Sequence, residues 1–256
     1  YKRQLLSSCG SVPLTGRKQV LLVSDQEVLS SSLTQYSDYM KSAKKSSSKD
    51  GAAMVTRVGK KIAAATEQYL RNNGLESEIK NFAWEFNLVN DPQVNAFCMP
   101  GGKIVVYEGL MQLVSSDDEL AVVVGHEVAH AVAKHSNERM SQQLMAQYGA
   151  QILGQALSNK SAAVQKIGAS VYGLGAQYGV MLPFSRKHES EADYMGLVFM
   201  AMAGYNPAVA VNFWQKMSAG KSGSTPEFMS THPSDATRIN EIKQHLPEIE
   251  KYRVKK

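Results

Sequence analysis

Cysteine is nearly absent from this chain of 256 residues, which has only Cys9 and Cys98. One disulfide is possible, but a scaffold built from disulfides is excluded. Long apolar runs are missing too. The longest uncharged stretches, residues 140–159 and 167–185, are interrupted by glutamines and by glycines. Neither offers the roughly 20 predominantly apolar residues of a membrane-spanning helix, and both read as small-residue-rich helices packed on a core. A dense basic stripe with interleaved aromatics is also lacking. Part of the net charge of +5 comes from Lys41, Lys44, Lys45 and Lys49 of "KSAKKSSSKD", which reads as a solvated loop. Nucleic acid is therefore not an expected partner.

The pattern that is present is largely helical. Residues 1–24 read as an extended lead-in, and residues 25–256 as a single domain. Val28, Leu29, Leu33, Tyr36 and Met40 recur at helical spacing, as do Val55, Val58, Ile62, Ala65 and Tyr69 ahead of Gly74. The period then changes to two: Phe82, Trp84, Phe86 and Leu88 share one face of a strand. Short strands are predicted at 95–99 and 103–107, around Pro100-Gly101-Gly102. Ser116 to Glu119 has capping-box spacing and opens a helix predicted over 117–143. Looser helices are expected over 146–182. Firmer ones are expected over 186–203, from Asn206-Pro207 to about 218, and over 234–245.

Inside the 117–143 helix, "VVVGHEVAHAVAKH" sets three histidines and a glutamate in an apolar run. His126 and His130, four apart, project from one helical face and can reach one tetrahedral cation. Glu127, rotated by about 100° from His126, is placed to touch a water on that cation. HExxH is therefore a zinc-hydrolase pattern. A third ligand is needed. His135 lies five residues after His130, pointing round the helix, and reads as a structural hydrogen-bonding residue. In "SRKHESEADYMGL", Glu189 and Asp193 are four apart, so Glu189 would coordinate zinc while Asp193 accepts the free N–H of a ligand histidine. His188 is a rival ligand, and Glu191 reads as a surface residue.

HEVAH, Glu189-x-x-Ala-Asp193 and Thr231-His232-Pro233-Ser234 together resemble the zinc metallopeptidases of family forty-eight. This is the gluzincin group that includes the HtpX heat-shock protease, the CAAX prenyl protease and the mitochondrial inner-membrane stress protease. "VPLTGRKQ", "NAFCMPGGKIVVYEGLM" and "STHPSDATRI" extend the likeness, which is to the bacterial envelope branch. The resemblance implies an α+β, mainly helical gluzincin fold with a small sheet and an active-site helix. It implies that His126, His130 and Glu189 bind one zinc ion, with Glu127 as the catalytic carboxylate. That branch contains periplasmic lipoproteins, which gives meaning to Leu6-Ser7-Ser8-Cys9. The tetrapeptide resembles a lipobox in which Cys9 carries the lipid and tethers the chain to a membrane.

The expected chemistry is hydrolysis of a peptide bond, with Glu127 taking a proton from water and returning it to the leaving nitrogen. His232 and Arg238 are the candidate donors to the oxyanion. In gluzincins an edge strand pairs with the substrate backbone, and Lys103, Ile104, Val105 and Val106 are the candidates for it. The expected substrates are unfolded or misassembled proteins of the bacterial envelope. The alternative is a chaperone-like or assembly scaffold whose zinc site is latent, plugged by His232. The sequence leaves the oligomeric state open.

Overall fold

The computed structural model describes residues 9–144, 185–219, 227–232 and 236–254. The helices predicted over 146–182 therefore lie outside the described residues. The predicted lead-in contains a hairpin: β1 (Cys9–Ser11) pairs antiparallel with β2 (Lys18–Val20). Helix α1 (Asp25–Ser42) opens on Ser24, whose hydroxyl accepts from the Glu27 amide while Glu27 reaches back to Ser24. This reciprocal cap fixes the start of the helix. Leu33, predicted to be inward, is 45% exposed. Ser32 takes the inner face instead, donating to the carbonyl of Pro100 at 2.8 Å.

Helix α2 (Lys49–Asn72) buries Val55, Val58, Ile62 and Ala65 as its spacing predicts. The short helix α3 (Glu76–Ile79) leads into a three-stranded sheet of order β3-β5-β4. Strand β3 (Glu85–Val89) runs parallel to β5 (Lys103–Tyr107), with Glu85 opposite Lys103. Strand β4 (Ala96–Met99) runs antiparallel to β5, with Ala96 opposite Val106. The alternation of strand side chains divides the core. Ile104 and Val106 face the large cluster that includes α2 residues, whereas Val105 and Tyr107 face Val28, Tyr36 and Tyr39 of α1. The sheet is thus covered on both faces.

After α4 (Glu108–Met111), helix α5 (Asp117–Val132) runs through the centre of the molecule. It is buried almost all round, which an apolar helix requires. Its acidic first turn ties neighbouring elements together. Asp117 pairs with Arg57 of α2 at 2.6 Å, and Glu119 pairs with Lys216 at 2.8 Å. The helix does not continue to 143 as predicted. It is capped at Ala133, Lys134 adopts φ 56°, and a separate helical stretch covers 135–144. Such a left-handed residue costs about 1–2 kcal/mol. Here it lets Lys134 reach Asp25 at 2.7 Å and Glu78 at 2.9 Å.

Helix α6 (Arg186–Met202) crosses α5 where two glycines meet. A Cβ on Gly196 would lie 2.7 Å from the backbone of Gly125, so no other residue permits this approach. Helices α7 (Val209–Ala219), α8 (Glu227–Thr231) and α9 (Ala236–Ile249) complete the described residues. Among these, no helix is long and apolar enough to cross a membrane.

Candidate metal centre

The α5–α6 crossing sets two rows of polar side chains against each other in a buried space. His126, Glu127 and His130 come from α5, Glu189 and Asp193 from α6. His232 arrives from the end of α8, where Phe228 stacks on Trp214 at 5.7 Å and His232 stacks on Phe228 at 4.5 Å. His126, His130, Glu189 and His232 each offer a ligand atom, all within 4.8 Å of one another, and all four residues are buried.

The donor geometry suits a cation. His126 Nε2 and His130 Nε2 are 3.0 Å apart, and each lies 3.4 Å from a carboxylate oxygen of Glu189. His232 Nδ1 is 3.3 Å from His126 Nε2 and 3.0 Å from Glu189 Oε1. Ligands at zinc–nitrogen distances of about 2.0–2.1 Å lie roughly 3.3 Å from one another in a tetrahedron. The tautomers agree with this. His126 Nδ1 is 2.9 Å from Asp193, and His130 Nδ1 is 2.9 Å from His135 Nδ1. With the protons on those nitrogens, both Nε2 atoms turn lone pairs towards one point, as two ligands of a single cation do. Zinc is the group these residues fit; His126, His130 and Glu189 would hold it, with His232 beside it.

Electrostatics at the site follow from burial and close charges. Burial pushes the Glu127 carboxyl up, against the pull of His232 and His126. The Glu189 carboxyl is held well below its ordinary range: burial raises it, but His232 and Arg238 outweigh that. Burial would lower His126, yet Asp193 and Glu189 lift it to about 9. Burial carries His130 the other way, well below its ordinary value.

Glu127 is held from the sheet. Its Oε2 accepts the backbone N–H of Cys98 at 3.1 Å, while the buried Oε1 has no hydrogen bond and lies 3.4 Å from His232 Nε2. Nothing in the HExxH pattern foretells that β4 contact. Arg238, predicted to donate to the oxyanion, sits behind the ligands instead. Its Nη1 is 2.9 Å from Glu189 Oε2, its Nη2 donates to Asp193 at 2.9 Å, and its Nε also bonds Asp193. The guanidinium lies 4.8 Å over the Trp214 ring. Its Nη1 also reaches the His232 carbonyl at 3.4 Å, and its bonds to the two carboxylates orient them.

Three other expectations are corrected. Lys103, Ile104, Val105 and Val106 are not on an edge: β5 is the central strand, hydrogen-bonded on both sides. Lys103 is buried against Glu85 at 2.5 Å. Strand β4 is at the edge, and its outward N–H groups are met by side chains, Ala96 by Asn95 and Cys98 by Glu127. Glu191 is not on the surface. It is 8% exposed and accepts from Thr15 at 2.5 Å and Arg17 at 2.6 Å, with His135 Nε2 at 2.9 Å. His188, the rival ligand, stacks on His135 at 4.4 Å and pairs with Glu138 at 3.0 Å, outside the ligand cluster. Cys98 is a free thiol, and Cys9 begins β1.

A two-helix site of this kind, HExxH on one helix and a glutamate on another, defines a gluzincin-type metallopeptidase. Residues 56–246 match the model of peptidase family M48, and the chain belongs to that family. It is similar to the mitochondrial metalloendopeptidase OMA1 of Schizosaccharomyces pombe, 36% identical over 77% of this chain and 53% of the relative. It is also similar to OMA1 of Arabidopsis thaliana, 40% identical over 66% of this chain and 33% of the relative. The beta-barrel assembly-enhancing protease of Yersinia pestis is 33% identical over 63% of this chain and 36% of the relative. The chain thus spans about half the length, or less, of these curated relatives.

Proposed function

We propose that this chain is a zinc-dependent endopeptidase, with Glu127 as general base and His126, His130 and Glu189 as the metal ligands. The observation that carries the reading is the buried cluster of four ligand atoms beside the Glu127 carboxylate, whose Oε1 has no hydrogen bond among the described residues. Zinc, when bound, supplies Lewis-acid chemistry: it acidifies water and polarises a carbonyl. Glu127 Oε1 takes the proton of the attacking water and passes it to the leaving nitrogen; burial, by raising its pKa, favours that exchange. Asp193 fixes the His126 tautomer, and Arg238 fixes Asp193.

The substrate backbone would pair with β4, the outer strand beside Glu127, by displacing the Asn95 and Glu127 side-chain oxygens that meet its outward N–H groups. Edge pairing reads extended backbone more than side chains, which suits unfolded or misassembled proteins. The names of the relatives, metalloendopeptidases and assembly-enhancing proteases, support that substrate class. A bacterial envelope location, tethered through a lipidated Cys9, rests on Leu6-Ser7-Ser8-Cys9. Mass spectrometry of the native membrane fraction should find an acylated Cys9, and an unmodified cysteine would refute the tether.

Casein hydrolysis by the purified chain, with and without a chelator and beside Glu127→Gln, tests the activity. Cleavage abolished by both chelation and substitution is expected. Cleavage that survives Glu127→Gln would overturn the mechanism. A second reading, a latent site, is favoured by one observation: His232 Nδ1 stands among the ligand atoms, where it closes the position that water needs.

A further inference from the structure

His130 is held by a relay that starts outside the residues matched by the family model. On the far side of His130, His135 Nδ1 is 2.9 Å from its Nδ1, and His135 Nε2 is 2.9 Å from Glu191 Oε2. Glu191 is in turn gripped by the N-terminal hairpin. Thr15 donates to one of its oxygens at 2.5 Å and Arg17 Nε to the other at 2.6 Å. The remaining fork of Arg17 binds Glu138 in two bonds, at 2.9 and 2.7 Å. The two carboxylates that hold Arg17 are therefore themselves fixed in space.

The contacts along the relay fit a single direction of donation. Glu191 already receives Thr15 and Arg17, and a neutral His135 with its proton on Nε2 donates to it as well and turns its Nδ1 lone pair to His130. His130 then donates Nδ1–H to that lone pair and keeps Nε2 bare towards the ligand cluster. Asp193 does the same for His126 in one step. We propose that Arg17 is a positioning residue for the metal centre: through Glu191 and His135 it holds His130 in the tautomer and orientation that bind zinc. The proposal rests on the reading of His130 as a ligand. It gives the hairpin between β1 and β2 a role in the chemistry at one remove, through Glu191 and His135.

Zinc affinity, measured by competition with a chelating indicator, tests it. Arg17→Ala is expected to weaken binding by about tenfold, the low end for loss of a group that supports a ligand. Arg17→Lys, which keeps the charge but not the fork, should recover part of that loss. Glu191→Gln should add little to Arg17→Ala, because both break one relay. Arg57→Ala, which breaks an exposed ion pair away from the site, should bind as the parent does. The cobalt-loaded parent and Arg17→Ala should differ in their visible absorption, since His130 would be reoriented. If Arg17→Ala does not fold, Thr15→Val carries the same comparison with a smaller expected shift. Parent-like affinity and cobalt spectrum in Arg17→Ala, with only its apo melting temperature lowered, would overturn the proposal. A parent that binds zinc in this pattern yet cleaves nothing leaves the relay standing and sinks the proposed activity. A parent that binds no zinc sinks both.

Discussion

At the scale of single residues, the site depends on which lone pairs face inward. Glu127→Gln keeps the shape and loses the base, so hydrolysis should fall by about 10²–10⁴-fold while zinc remains bound. Measuring zinc content beside the rate separates this from loss of the metal. His232 carries the opposite expectation. On the latent reading, His232 Nδ1 among the candidate ligand atoms holds the site closed, and His232→Ala should raise basal casein cleavage. A fall instead would assign His232 to the oxyanion and end the latent reading. The His126–His130–Glu127 arrangement was legible in the sequence because a helix converts spacing into geometry without help. Glu191 was misread for the complementary reason. Its partners Thr15 and Arg17 lie 176 and 174 residues away, and no local pattern distinguishes such a glutamate from a solvated one.

At the scale of elements, the candidate ligands on α5 and α6 meet where the two helices touch backbone to backbone at Gly125 and Gly196. A methyl group at Gly196 would meet main chain rather than a flexible side chain. Gly196→Ala is therefore expected to lower stability by roughly 1–3 kcal/mol, the usual cost of overpacking, and to weaken zinc binding with it. Urea denaturation together with zinc titration checks both. A variant that loses neither would show that the helices are free to separate. The identity of most described helices followed from their periodicity, but the break after Val132 did not. Ala133 and Lys134 carry no stop signal; at the left-handed turn the Lys134 ammonium pairs with Asp25 and Glu78, partners that only the tertiary structure brings near. The edge of the sheet was misassigned on similar grounds. Alternation marks which residues form strands, whereas strand order depends on which neighbours close over each side.

At the scale of the whole molecule, metal and hairpin both act on global stability. Zinc binds the folded chain, so at a hundredfold excess over Kd it should add about 2.7 kcal/mol and roughly 5–10 °C to the melting temperature. Calorimetry with and without chelator checks this, and an unchanged midpoint would count against a built site. The hairpin contributes a pH dependence. Burial raises the Glu138 carboxyl, but Arg17 and His188 outweigh it, so the group is held below its ordinary 4.5. A carboxylate depressed by folding adds stability above that ordinary value and loses it as pH falls through the lower, folded one. The parent should therefore lose stability more steeply below about pH 4.5 than Glu138→Gln. Parallel urea-melt profiles would refute that.

The sequence by itself determined the zinc-ligand pattern, the residue types of the site and the helical character of the elements that bear it. These depend on spacings of three or four residues, which one turn of helix turns into position. Only the tertiary structure decided that β4 rather than β5 lies at an edge of the sheet, that Arg238 lies behind the candidate ligands, and that Arg17 reaches His130 through Glu191 and His135. Each of those facts is a meeting of groups far apart in the chain, fixed by how buried charges must be paired once water is excluded.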